Sequence, residues 1–157
     1  MSFNPTSPLT GAAITGLTSP THTFVTDSAP DVNAKQWAVS NLGGTQPGAS
    51  VHSPEKPFTM TVKKPKVLKA AQGYSANLAQ FTQTGVNEFT VLFRKGVNIL
   101  NGYSGVQYRV CEIRLNVKVP AGANNDSGEL KTVFSMAGGA ISNQLQGIYD
   151  MVTTGVF

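Results

Sequence analysis

From Cys111 to Val119 apolar and polar residues alternate without a break. Cys111, Ile113, Leu115, Val117 and Val119 are apolar; Glu112, Arg114, Asn116 and Lys118 are polar. Side chains along a strand point alternately to opposite faces. The pattern therefore predicts a long strand with one buried face and one wet, mostly basic face, ended by Pro120. The preceding residues break the parity, because Val106, Tyr108 and Val110 fall on the later polar face. A bulge near Val110, or a strand covered differently at its two ends, accounts for that, and the pattern leaves both open.

Two further stretches alternate in the same way. Over Pro57–Lys63, Phe58, Met60 and Val62 share one face and Thr59, Thr61 and Lys63 the other. Pro65 interrupts, with Lys66–Ala71 as a possible continuation. Over Asn87–Lys95, Phe89, Val91 and Phe93 share one face; Thr90 and Arg94 share the other, with Leu92 as an apolar exception. His22–Thr26 and Lys35–Ser40 read as an N-terminal pair of strands. Residues Asn41–Pro54, with three glycines and two prolines, read as a loop. Gly96–Gly105 reads as a hairpin loop joining the last two strands.

After Pro120 the period changes. Leu130, Val133, Phe134 and Ala137 form an apolar stripe at helical spacing, predicting a helix over Glu129–Ala137 with Ser127 as its cap. Gly138–Gly139 is expected to break or kink it. Ile141, Leu145, Ile148 and Val152 predict a second helix, which Gly155 ends. The fold class is thus α+β: an antiparallel sheet with an N-terminal hairpin, followed by two C-terminal α-helices. Residues 1–20, rich in Ser, Thr, Pro and Gly, are expected to be a flexible N-terminal segment. Residues 21–157 then form one domain, sheet to about 119 and helices over about 129–154.

Charge sharpens the polar face. The 157-residue chain carries a net charge of +4, from 12 Lys and Arg against 8 Asp and Glu. Residues 56–118 hold ten of those bases and only two of the acids, Glu88 and Glu112. A one-sided field of this kind favours a polyanion.

Other chemistry is sparse. His22 and His52 lie near no Cys, Asp or Glu in a ligand pattern, so no metal is expected. Cys111, the only cysteine, is expected to be a small buried hydrophobe. No phosphate loop, dinucleotide fingerprint or nucleophile elbow is present, so no catalytic residues and no cofactor are assigned. No run approaches the roughly 18 apolar residues of a membrane helix, so no membrane partner is expected. Asn125-Asp126-Ser127 fits a glycosylation sequon but reads as a turn.

Several strands covered by only two short helices leave apolar sheet uncovered. A homodimer whose helices lie over the partner's sheet would bury it and pair the exposed edges.

With that order of elements, Gln107–Pro120 followed by Gly128–Phe157 resembles the coat proteins of single-stranded RNA bacteriophages. The resemblance runs from about His22 to Phe157. It implies a dimer with one continuous sheet, its helices outside, and closed sets of dimers forming an icosahedral shell. Such a protein is a virion component, assembled in the host cytoplasm and not an enzyme. The inner sheet face would bind genomic RNA, including a hairpin. By position, the resemblance assigns Thr59, Thr61, Lys63, Tyr108, Glu112, Arg114, Asn116 and Lys118 to that face, with Tyr108 stacking on a base; Arg94, on the polar face of its own strand, is expected to join them. Glu112 would accept from a base amino group or orient Arg114. The glycine-rich loop Gly96–Gly105 would make assembly contacts. Two alternatives remain at this level: a dimeric nucleic-acid-binding regulator, and a phage tail or fibre subunit.

Overall fold

A computed structural model of the chain describes residues 3–71, 74–75, 80–81, 85–99, 107–123 and 127–156. The strands are β1 (Leu9–Thr10), β2 (Thr18–Asp27), β3 (Ala34–Thr45), β4 (Phe58–Lys63), β5 (Tyr74–Ser75), β6 (Gln80–Phe81), β7 (Val86–Ile99) and β8 (Gln107–Pro120). Two helices follow, α1 (Ser127–Asn143) and α2 (Leu145–Thr154). Six strands form one sheet in the order β1-β2-β3-β4-β7-β8, every pair antiparallel; β5 and β6 form a small separate ladder.

The alternating patterns set the two faces. Trp37, Met60, Phe93 and Ile113 form one cross-strand row on the apolar face, and Val62, Val91 and Leu115 part of the next. The core lies in the middle strands, where Trp37, Val39 and Met60 are buried. Toward β8 the same face opens: Ile113 is 61% exposed. Cys111 has the expected parity but is exposed, not buried. Strand parity gives the face of a side chain, and here no element of the same chain covers that face.

The helices explain this. Among the described residues, neither α1 nor α2 packs against any strand of the sheet. Their apolar side chains stay open, with Phe134 53% and Val152 72% exposed. The helical arm is tied back through the N-terminal segment, where the Thr15 N–H donates to Gln146 Oε1 at 2.8 Å. That segment also lies along the sheet. The Phe3 and Trp37 rings meet edge to face at 5.9 Å, and the Phe24 N–H donates to Ser7 Oγ at 2.9 Å.

Several expectations need correcting. β3 runs on to Thr45 through the expected loop. Gly43 and Gly44 permit this, because a Cβ on Gly43 would stand against Thr21 Oγ1 and Gly44 has a φ of +70°. Residues 66–71 do not continue β4 as a strand. No bulge interrupts β8: its register with β7 is continuous from Val86↔Pro120 to Ile99↔Gln107. Tyr108 and Val110 therefore lie on the same face as Glu112, and both are exposed. Gly96–Ile99 belong to β7 and not to the hairpin loop; residues 100–105 of that loop, Val106, and Asn125-Asp126 of the sequon fall outside the described residues.

Gly138–Gly139 does not break the helix either. α1 passes through both and yields at Gln144. Glycine inside a helix costs about 1 kcal/mol relative to alanine, a penalty that neighbouring turns can absorb. Gly155 ends α2 as expected, left-handed at φ 73° with its N–H on Met151 O.

Candidate nucleic-acid interface

Four strands contribute to the polar face. One row across the sheet is Ala38, Thr59, Arg94 and Glu112; the next is Gln36, Thr61, Leu92 and Arg114; a third is Ala34, Lys63, Thr90 and Asn116. Glu88 and Lys118 face each other one row further, and Asn98 and Tyr108 pair toward the opposite end. The fold thus gathers eight of the nine anticipated residues into adjoining rows. Tyr108 shares their face but stands four residues from Glu112, about 13 Å along the strand.

Glu112 is the electrostatic centre. Its Oε1 lies 3.1 Å from Arg94 Nε, and its Oε2 accepts from Arg114 Nη2 at 3.3 Å. One carboxylate therefore orients two guanidinium groups, the second of the roles anticipated for it. The Arg94 contact is an ion pair out of line with the N–H, so Arg94 Nε remains buried without a hydrogen-bond partner. Across the ladder, Thr59 Oγ1 is in the same condition. Both atoms are shielded from solvent, and the Glu112 carboxylate compensates the charge of Arg94.

The rest of the face is preorganised. Thr61 Oγ1 donates to Gln36 Oε1 at 2.8 Å, and Gln36 Nε2 donates to Asp27 Oδ2 at 2.7 Å. That amide holds the Asp27 carboxyl below the usual carboxylate range, helped by the Ser28 N–H. Lys63 Nζ reaches Asp31 Oδ2 at 2.8 Å, and its hydrogen bond is the main cause lowering the Asp31 pKa. Thr90 Oγ1 donates to Asn116 Oδ1 at 3.1 Å. A shallow groove of about 350 Å³ runs between these residues, with Lys63, Arg114 and Asn116 in its walls.

Tyr108 is not bare. Lys56 Nζ sits 4.3 Å from its ring centroid. Gly96 allows this, because a Cβ there would come within 2.8 Å of Lys56 Cα. Gln36, Asp31 and Lys56 were not anticipated in the site. Gln36 alternates with Trp37 and was visible in principle; the other two come from loops, where periodicity carries no information. Among the described residues no cluster of His, Cys, Asp and Glu fits a metal ion, and no helix is long and apolar enough to cross a membrane.

Neither family models nor curated proteins give a match to the chain. Solved structures do. The chain is 39% identical to the virus-like particle protein of bacteriophage ESE020, with 99% of this chain and 100% of that one covered and a TM-score of 0.91. The chain belongs to the coat proteins of the single-stranded RNA bacteriophages. Two more distant particles share the fold. That of Wenzhou levi-like virus 4 has 18% identity, coverage of 93% and 85%, and a TM-score of 0.57. That of Beihai levi-like virus 32 has 11% identity, coverage of 91% and 89%, and a TM-score of 0.58.

This coat protein is therefore a capsid component of the virion. The regulator and tail-subunit alternatives fall away with the near-complete match to a particle-forming protein. The sheet and helices of the coat protein have the architecture read from its sequence, apart from the boundaries corrected above.

Proposed function

We propose that the coat protein acts as an obligate homodimer whose polar sheet faces join into one RNA-binding surface lining a closed icosahedral shell. Its role is structural, without a catalytic step. The observation that carries RNA binding is the strand register, which gathers Lys63, Arg94, Arg114 and Lys118 on one face together with Thr61 and Asn116. Arg94, Arg114, Lys63 and Lys118 neutralise phosphates. Thr59, Thr61 and Asn116 hydrogen-bond base edges or sugars, and Glu112 fixes the two arginines. Tyr108 offers a base a stacking surface worth roughly 1–3 kcal/mol, with Lys56 on its ring.

The dimer is supported by the helical arm. Helices with open apolar faces, beside a sheet with an open apolar face at β8, are two halves of one unfinished core. A second copy supplies each half with its cover and pairs the two β8 edges.

Expression followed by light scattering, electron microscopy and absorbance at 260 and 280 nm tests the reading. Closed particles containing RNA, releasing dimers on disassembly, are expected. Stable folded monomers would overturn the dimer; particles filled equally well after removal of Arg94 and Arg114 would overturn the RNA face.

A further inference from the structure

The basic surface does not stop at Lys63. β4 passes into residues 64–71, which carry Lys64, Lys66 and Lys69, all exposed. This segment is fixed at both ends. The Lys64 N–H donates to Asn33 O at 3.0 Å. Further on, the buried Asn87 accepts from the Lys69 N–H at 2.8 Å and donates to Lys69 O at 3.1 Å. The Lys69 stem lies over Gly85, where a Cβ would come within 2.7 Å of Lys69 Cδ. A cleft of about 650 Å³ opens along this strap, with all four lysines in its lining. Through Lys63, Glu88 and Thr90 it runs into the groove on the polar face.

The charges do not cancel. Asp31 is taken by Lys63. Among the described residues no carboxylate pairs with Lys64, Lys66 or Lys69. We infer that the strap is a second RNA site, binding the phosphate backbone of a single strand as it leaves the sheet face, without regard to sequence. This rests on the RNA-face reading above. Lysine binds phosphate as a point charge without a fixed geometry, which suits contact with a backbone irrespective of sequence. The strap itself carries no aromatic ring or side-chain amide through which a base would be read, and the amide of Asn33 in the cleft lining donates to Asp31 Oδ1.

The test is binding of a labelled oligouridylate to the purified coat protein over a range of salt, with circular dichroism to check folding. The variant K64Q/K66Q/K69Q is compared with R114A/K118A and, as a control on α1, with K131Q. Loss of three phosphate contacts should flatten the slope of log K against log salt by about 2. K64R/K66R/K69R should restore it, and each single Gln variant should remove about 0.7 should the triple variant fold poorly. An unchanged slope in the Gln variants, with R114A/K118A impaired, overturns the strap and leaves the sheet face standing. The reverse result keeps the strap and overturns the sheet face. Equal effects of all variants, K131Q included, mean diffuse attraction and overturn both. Tighter wild-type binding to polyglutamate than to oligouridylate, lost in the triple variant, assigns the strap to an acidic protein and overturns it.

Discussion

Arg94 stands directly across the β7–β8 ladder from Glu112, with its Nε 3.1 Å from the carboxylate. Glu112 is the one acid in the middle of a basic face, and it holds Arg94 and Arg114 at once. The Glu112→Gln variant keeps the shape and removes the charge. Partly exposed ion pairs contribute about 0–1 kcal/mol, so the urea midpoint should barely move. Affinity for unrelated RNA should rise about two- to five-fold as phosphate repulsion is lost. Preference among RNA sequences should fall, because two arginines are freed. Filter binding with a preferred and a scrambled RNA measures both.

The face assignment predicts a contrast between positions. Arg114→Ala and Lys118→Ala should each flatten the salt slope by about 0.7 and lower the RNA content of particles. Lys131→Ala, on α1, should do neither. Salt titrations and the absorbance ratio of purified particles check this.

The dimer predicts a penalty where the isolated chain has none. Ile113 is 61% exposed and Ile148 39% exposed in the single chain. In a lone subunit Ile113→Asp would cost almost nothing. Under a partner's helices it buries an unpaired charge and should cost several kcal/mol, as should Ile148→Asp. Loss of soluble dimer on size exclusion is the expected result; normal yields of dimer would contradict the arrangement.

Gly96 tests a close approach. An alanine there drives a Cβ into the Lys56 backbone at 2.8 Å. Overpacking of this kind costs about 1–3 kcal/mol. Gly96→Ala should therefore lower the urea midpoint and disturb the Lys56–Tyr108 contact.

His22 gives the fold a mild acid sensitivity. Its pKa is lowered, chiefly by burial, outweighing the hydrogen bonds with Leu9 and Gln46 that raise it. It also meets the Phe58 ring edge to face at 5.6 Å. A histidine with a depressed folded pKa binds fewer protons than in the unfolded chain, so stability rises with pH. That contribution is intact above the unfolded value of 6.5 and is lost as pH falls through the interval between 6.5 and the lower folded value. Denaturation midpoints from pH 7 to pH 5 should drop in the wild type and less steeply in His22→Gln.

Periodicity was sufficient for the faces of β4, β7 and β8, because each strand has its own apolar row. That Thr59, Glu112 and Arg114 share one surface across strands came from the family resemblance, because alternation says nothing of strand order. Periodicity failed where the outcome depends on a neighbour. Cys111 has apolar parity yet lies open, since cover is supplied by another chain or not at all. Gly43–Gly44 falls in a stretch that reads as a loop, but Thr21 needs the space at Gly43, and the Thr18–Ser19 backbone the space at Gly44, for β2 and β3 to pair. Gly138–Gly139 reads as a break, but adjoining turns carry the helix through. The strap of residues 64–71 is held by Asn87, a contact across 18 positions that no local pattern encodes.

The sheet has a consequence for the order in which the protein is made. Apart from the small β5–β6 ladder, every strand pairs with its predecessor in the chain, so the sheet is a meander with no crossover. A ribosome adds about 5–20 residues per second, far slower than hairpins close. Each strand can dock on the previous one as it emerges, without waiting for a distant partner. The helical arm emerges after the sheet. Under the dimer reading, the surface that recruits a second copy therefore stays incomplete until α2 has been made, and chains that stop short of it are kept out of the shell by the sequence order alone.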